Sequence, residues 1–107
     1  MSDPLGAVLG ALADPTRRGM VETLLRDGVT TVPALTGDLP ITRQAVAKHL
    51  ATLGEAGLVE RVDGPGREVR YRLRPGALEP AADWMGRTAS AWDARLDRLK
   101  RAVEAPH

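Results

Sequence analysis

The sequence predicts a mainly α-helical fold with five helices and one small β-hairpin. Two observations support this prediction. Apolar residues recur three and four positions apart in several segments that begin at capping residues and end at Gly or Pro. In residues 58–74, apolar and polar residues instead alternate with a period of two, on either side of a Gly-Pro-Gly turn. Because the chain has 107 residues, with no internal repeat or long linker, we expect a single domain over residues 1–107.

Composition narrows the class of protein. The chain is 43% hydrophobic but holds only two Trp, one Tyr and no Phe, so its core must consist of Leu, Val and Ala. It has no cysteine, which excludes disulfides, thiolate metal sites and a cysteine nucleophile. We find no signal peptide and no apolar run near the roughly 20 residues of a membrane span. We therefore expect a cytoplasmic protein without membrane contact.

The first two helices are marked by their apolar faces and by a strong boundary. Residues 4–13 read as the first helix, and Asp14 and Pro15 are a good N-cap and first residue for a second helix that runs to about Asp27 and ends at Gly28. The first helix places four apolar residues on one face: Leu5, Val8, Leu9 and Leu12. The second is expected to bury Met20, Val21, Leu24 and Leu25. Two arginines early in this helix read as surface charges, as braces to a neighbouring helix or as phosphate contacts, preferred in that order: Arg17 and Arg18.

A short third helix runs from Val32 to about Leu39 and is stopped by Pro40. The fourth helix occupies residues 41–57, with Thr42 as N-cap and Gly57 at its end. Because so few residues separate these helices, they must meet at a sharp angle. Two helices joined by a tight turn form a helix-turn-helix.

The fourth helix has an apolar stripe and an opposite polar face. The stripe consists of Val46, Leu50 and Leu53, and Gln44 and Lys48 lie about half a turn away. Small, amide and cationic side chains on one face suit a DNA major groove, because amides and Arg read base edges and Lys reaches phosphate. An ordinary solvated helix has the same pattern, and this helix considered alone favours that interpretation.

The segment after the fourth helix predicts a hairpin. Residues 58–62 and 68–74 read as strands, and the turn at residues 63–67 places Arg67 near its tip. The second strand alternates apolar residues with Arg70, Arg72 and Arg74. A solvated arginine face is one interpretation. Directly after a helix-turn-helix, a basic hairpin also has the position of a wing that contacts DNA.

Charge is unevenly distributed along the chain. The whole chain has a net charge of only +1, but residues 41–74 carry six Arg and one Lys against four acidic residues. The positive excess therefore coincides with the fourth helix and the hairpin. A local basic patch of this kind is typical of nucleic-acid binding.

Residues 79–104 predict one long helix. Its apolar residues are spaced alternately four and three apart, which is a heptad seam: Met85, Ala89, Trp92, Leu96, Leu99 and Val103. A helix of this length reaches about 37 Å, more than a domain of this size covers by itself. We expect the same helix of a second chain to cover the seam. The alternative is that the first helix and the hairpin cover it within one chain.

Four segments in order resemble the ArsR/SmtB family of bacterial repressors: LADPTRR at 12–18, ITRQAVAKHL at 41–50, LGEAGLV at 53–59 and GREVRYRL at 66–73. The resemblance covers about residues 5–100. It implies a dimeric winged helix-turn-helix whose fourth helix reads DNA and whose first and last helices form the dimer interface. The implied interface residues are Leu5, Val8, Leu9, Leu12, Met85, Ala89, Trp92, Leu96, Leu99 and Val103.

The chain departs from the metal-sensing members of that family. Where those carry a Cys-x-Cys pair it has Leu35-Thr36-Gly37, and its last helix lacks their Asp, His and Glu ligands. His49 matches a frequent family histidine, for which packing or DNA contact fits better than metal ligation. Since a metal site needs three or four placed ligands, we expect no metal and no cofactor. Any effector, a small molecule or a partner protein, is not identified by the sequence.

The residues thus predict a sequence-specific, double-stranded-DNA-binding transcriptional regulator, a dimeric repressor that binds an inverted-repeat operator. The expected DNA-binding residues are Thr42, Arg43, Gln44, Ala47, Lys48, His49, Thr52, Arg67, Arg70 and Arg72. The alternative is a winged-helix protein-interaction module that does not bind DNA. An enzyme is not expected, since no nucleophile–base set, phosphate-binding glycine loop or paired carboxylates are recognisable.

Overall fold

A computed structural model describes residues 3–105 of the chain, and these form five helices and three short strands. In chain order they are α1 (Pro4–Leu12), α2 (Pro15–Asp27), β1 (Val29–Thr30), α3 (Val32–Asp38), α4 (Arg43–Glu55), β2 (Val59–Asp63), β3 (Val69–Leu73) and α5 (Glu79–Glu104). The expected helices and both hairpin strands are present, with ends within about two residues of those predicted. The hairpin follows α4, as the change of periodicity indicated.

The core is aliphatic and joins α1, α2, α3, α4 and the start of β2. Its most completely buried side chains are Met20, Leu24, Leu35, Val46, Leu50, Leu53 and Leu58. Leu25 was expected to be buried, and this was wrong, because the side chain is 61% exposed. Leu25 lies on the same side of α2 as the buried Val21 but one turn nearer the end of the helix, where it lines an open hollow with Leu73 and Leu78.

Side-chain caps begin the helices that build the helix-turn-helix. The Asp14 carboxylate accepts from the backbone N–H of Arg17 at 2.9 Å, and the Thr42 hydroxyl accepts from the N–H of Ala45 at 3.1 Å. Both caps satisfy backbone donors that a helix start leaves without partners. The two predicted starts, at Pro15 and just after Thr42, are therefore confirmed by their hydrogen bonds.

The end of α4 is a Schellman motif, a paired hydrogen-bond closure around a left-handed residue. Gly57 has φ +80° and donates to the carbonyl of Gly54 at 3.0 Å, and Leu58 donates to the carbonyl of Leu53 at 2.9 Å. Leu53 and Leu58 are both fully buried, so the apolar contact that accompanies this motif is present. The motif directs the chain from α4 straight into β2.

The sheet has three strands in the order β1-β3-β2, all antiparallel. β1 was not predicted, because two residues carry no recognisable period. Thr30 of β1 is buried and lies opposite Tyr71 of β3. β1 leads directly from α2 to α3, so this pairing anchors the hairpin to the helical part of the domain.

α5 extends away from the rest of the domain. The principal extents are 75 × 29 × 26 Å, and the radius of gyration is 19.2 Å, against about 13 Å for a compact chain of this length. Ala81, near its start, is the buried residue of this helix within residues 79–104. Further along, Trp92 is 61% exposed and Val103 76% exposed. None of the helices in residues 3–105 is long and apolar enough to cross a membrane.

Asp14 provides a pH test of the α2 cap. Its pKa lies below the ordinary value of 3.8, chiefly because the carboxylate accepts the backbone N–H of Arg17. A carboxyl group whose pKa is lower in the folded than in the unfolded chain stabilises the fold above about pH 4, and that stabilisation disappears as the pH falls through the folded pKa. In Asp14→Asn the amide oxygen still caps the helix but does not titrate.

We expect the free energy of unfolding to fall more for the natural chain than for Asp14→Asn between about pH 6 and about pH 3. Urea titrations at one protein concentration measure both. Other carboxyl groups are common to the two proteins and cancel in the comparison. Parallel pH profiles would contradict the assigned role of the ionised cap.

Candidate DNA interface

The packing of α4 decides which of its side chains face solvent. Val46, Leu50 and Leu53 are 0–2% exposed and hold one side of the helix against the core. The opposite side is a row of exposed residues at helical spacing: Gln44, Ala47, Lys48 and Ala51. This row contains three residues predicted to bind DNA and one, Ala51, that was not selected. Arg43 and Thr42 are also exposed, at the start of the helix.

Two other predicted DNA-binding residues, His49 and Thr52, lie on the side of α4 that faces α1 and α2. Nδ1 of His49 lies 3.5 Å from Nη1 of Arg17. Thr52 lines a hollow together with Gly6 and Ala7 of α1, and its hydroxyl donates to the carbonyl of Lys48 at 3.2 Å. Both side chains are half-buried. They are thus turned away from the Gln44–Ala51 row, which only the packing of α1 against α4 reveals.

Arg17 and Arg18 brace the end of α1. Nε of Arg17 donates to the carbonyl of Ala11 at 2.7 Å, and Nη1 of Arg18 donates to the carbonyl of Leu12 at 2.7 Å. The last carbonyls of a helix have no partner within the helix, and arginine side chains satisfy them here. Arg18 is exposed, as the first alternative expected, and Arg17 is half-buried, while the hydrogen bonds of both show the second alternative, a brace to a neighbouring helix.

The hairpin of β2 and β3 lies beside α4, but its arginines are not equivalent. Nη2 of Arg70 lies 2.8 Å from Oε2 of Glu68, and Nε of Arg72 lies 2.8 Å from Oε1 of Glu60. Arg74 also approaches Glu60, at 3.9 Å. Two of the three hairpin arginines predicted to bind DNA therefore already have carboxylate partners. The strand register, which places Glu60 opposite Arg72, was the signal that could have identified one pair.

Arg67 differs from these two. It is exposed in the turn between β2 and β3, where Gly66 takes a left-handed φ of +62°. Within residues 3–105, no carboxylate forms an ion pair with Arg67, Arg43 or Lys48. Among the cations of residues 41–74, those of α4, β2 and the hairpin tip have no carboxylate partner, while Arg74 and the arginines of β3 are neutralised locally.

Metal ligands are not grouped in the part of the chain that the structure describes: no three His, Cys, Asp or Glu residues there are close enough to hold a metal ion. The candidate interface is instead formed by the exposed row of α4 and the hairpin turn. A recognition helix preceded by a tight turn and flanked by a basic hairpin defines a winged helix-turn-helix.

Comparisons with known proteins agree with this class. The family model described as "Helix-turn-helix domain" matches residues 12–62. An uncharacterized HTH-type transcriptional regulator of Bacillus subtilis, YuzN, is 46% identical over 73 residues, covering 63% of this chain and 75% of that protein. The HTH-type transcriptional regulator Rv2034 of Mycobacterium tuberculosis is 46% identical over 69 residues, covering 64% of this chain and 62% of that protein.

The structural comparison extends over more of the chain. An ArsR-like transcriptional regulator from Rhodococcus sp. RHA1 superposes with a TM-score of 0.81 and 39% sequence identity, covering 96% of this chain and 95% of that one. The chain belongs to the ArsR family of winged helix-turn-helix proteins. It is a DNA-binding transcriptional regulator, and members of this family are in general not enzymes.

The exposed row of α4 predicts two different effects on DNA binding. If Lys48 contacts phosphate, Lys48→Gln removes that charge, and we expect affinity to fall by a similar factor for every DNA sequence. If Gln44 reads a base edge, Gln44→Ala removes the amide that does so, and we expect a loss of preference at particular base pairs, worth about 1–3 kcal/mol. Binding titrations against an operator and its single-base variants measure both effects.

Thr36→Ser is a suitable control, because Thr36 is half-buried on α3 with its hydroxyl bonded to the carbonyl of Val32 at 2.8 Å. This variant should bind like the natural chain. If Gln44→Ala and Lys48→Gln also bind like the natural chain, the exposed row of α4 is not the reading surface.

Proposed function

We propose that the chain is a homodimeric repressor that binds an inverted-repeat operator through two copies of α4. The observation that carries this proposal is the exposed apolar seam of α5. Its large members within residues 3–105 are Met85, Trp92, Leu96, Leu99 and Val103, all at least 44% exposed. Regulators of this family typically act as dimers, and a second copy of α5 supplies a partner with the same heptad spacing.

α1 completes the proposed interface. Only the beginning of α5 is anchored in its own domain, where Ala81 is buried close to α1. Leu5, Leu9 and Leu12 of α1 are half-buried and pack against the core, which leaves part of each side chain for a partner. Val8 is 6% exposed, so it contributes by supporting α1 from within the protomer rather than by offering surface.

A two-fold dimer presents two recognition helices related by symmetry. Such an arrangement reads half-sites that form an inverted repeat, with centres about 34 Å apart when they lie one helical turn apart. Bound across a promoter, the dimer blocks transcription. DNA access also implies a cytoplasmic location, which is part of the same proposal.

Operator selection tests the DNA-binding part of the proposal. Purified protein is used to select duplexes from a random pool, the selected sequences are aligned, and the best is footprinted and placed before a reporter gene. We expect an inverted repeat, protection of both half-sites, and lower reporter expression when the protein is present. A selected site without two-fold symmetry contradicts the dimeric mode, and raised expression contradicts repression.

A charge in the seam tests the dimer separately. Leu99→Glu places a carboxylate in the seam of the proposed interface, where burial of an unpaired charge is strongly unfavourable. We expect light scattering to give twice the chain mass of 11.4 kDa for the natural protein and one chain mass for the variant. Ala94→Glu adds the same charge on the opposite side of α5 and should leave the dimer intact. A dimeric Leu99→Glu protein would place the interface elsewhere.

A further inference from the structure

We propose that Arg61 of β2 binds the DNA phosphate backbone where it passes between α4 and the hairpin. This inference rests on the proposed function, because it assigns a further contact of the same DNA-binding surface. Arg61 was not among the residues expected from the sequence to bind DNA. Four observations support it: the face of the sheet on which Arg61 lies, the small residues beside it, its lack of a carboxylate partner, and the geometry of a duplex bound by α4.

The strand register places Arg61 on the inner face of the hairpin. Arg61 lies opposite Tyr71, whereas the neighbouring pair, Glu60 and Arg72, is on the outer face. Arg61 and Tyr71 both line a hollow of about 250 Å³ against α4. They also line a second hollow of about 580 Å³ that reaches Arg67 at the hairpin turn. Arg61 is therefore located between the recognition helix and the tip of the hairpin.

The α4 side of this groove is formed mainly by small residues. Ala47, Ala51 and Gly54 line it opposite Arg61, together with Leu50, whose side chain is buried in the core. Ala47 and Ala51 belong to the exposed row of α4, so the groove is continuous with the proposed reading surface. Small side chains leave room for a sugar–phosphate strand to approach the protein closely. Glu60 also lines this groove, but its carboxylate is paired with Arg72 at 2.8 Å, which leaves Arg61 as the cation of the groove that has no carboxylate partner among the described residues. A groove with such a cation on one side and small residues on the other suits a phosphate backbone.

The two faces of the hairpin also differ in charge. On the outer face, Arg72 and Arg74 share the carboxylate of Glu60 at 2.8 and 3.9 Å. Across residues 3–105, the guanidinium of exposed Arg61 takes part in none of the ion pairs. A cation without a protein carboxylate is free to replace counterions at a phosphate, which is the main source of nucleic-acid affinity.

The geometry of duplex DNA indicates which part of a bound duplex lies beside Arg61. A single sugar–phosphate strand separates the major groove from the adjacent minor groove. When α4 lies in a major groove and the hairpin tip lies over the neighbouring minor groove, that strand must pass between them. The groove lined by Arg61 is the space between them. The same geometry turns Arg72 away from the DNA.

Salt dependence tests this assignment on a duplex of random sequence, so no operator is needed. Each phosphate contact contributes about 0.9 to the slope of log affinity against log salt. A dimer has two Arg61 side chains, so we expect Arg61→Gln to reduce the slope by about 1.8. The affinity advantage of the natural protein over Arg61→Gln should therefore shrink about twelvefold between about 50 and about 200 mM salt. Arg61→Lys keeps the charge and should keep most of the slope.

Arg101→Gln is the matched control, because it removes the same net charge from an exposed position of α5, on the side of the helix opposite the seam. We expect its slope to stay close to that of the natural protein. Equal slope reductions in Arg61→Gln and Arg101→Gln would show a general charge effect and overturn the assignment. An unchanged slope in Arg61→Gln would also overturn it. Failure of the proposed function is distinguishable, since the natural protein itself would then show no salt-dependent DNA binding.

Phosphate ethylation interference on a selected operator provides a second readout. We expect one interfering phosphate in each half-site, between the two grooves, to disappear in Arg61→Gln and to remain in Arg101→Gln. A merely structural role of Arg61 would weaken interference at all positions together. Circular dichroism melting of each variant establishes that loss of contact is not loss of folding.

Discussion

The burial of one stripe of α4 is the constraint on which the rest of the interface depends. Val46, Leu50 and Leu53 are packed into the aliphatic core, and this fixes the rotation of the helix about its axis. A helix fixed in rotation must present the opposite side chains to solvent. The Schellman closure at Gly57 then directs the chain into β2, so the same packing that orients α4 also determines where the hairpin begins.

Local pairing of charges shapes the surface more than the total charge does. Residues 41–74 carry an excess of positive charge, yet Glu60 and Glu68 neutralise arginines of β3. Exposed ion pairs of this kind add little stability. Within residues 41–74, their effect is to leave the cations without carboxylate partners on α4, in the groove beside it and at the hairpin tip. The positive surface is therefore narrower than the sequence indicates, and it lies where α4 and the hairpin face the same side.

The long α5 connects this surface to assembly. α5 is anchored at one end and is apolar along a heptad seam, so most of the contacts that can stabilise it are contacts with a partner along that seam. Where a partner covers it, the separation of the two recognition helices is set by how the two α5 helices cross. Regulation of DNA binding can then act on the dimer without any residue of the reading surface being touched.

Much of the fold could be predicted because its signals are local. Asp14, Thr42 and Gly57 act on backbone groups within a few residues of themselves, so helix starts and ends can be read from the chain. The period of apolar residues likewise identified the buried stripe of α4 and the seam of α5. β1 was missed, since two residues carry no period and form a strand only through pairing with β3. The burial of Leu25 was predicted wrongly because the elements packed around α2, and not its own sequence, determine how much of the helix surface is buried.

The sequence by itself determined the class of protein: the order of helices, the helix-turn-helix and the hairpin after it follow from local spacing, and the residues of four segments carry the family resemblance. The tertiary structure decided where the polar side chains lie relative to the exposed row of α4. His49 and Thr52 are turned toward α1 and α2, Arg72 is paired with Glu60, and Arg61 faces the groove beside α4. The positions of these side chains depend on residues that are distant in the sequence, because packing and strand register bring such residues together only in the folded chain.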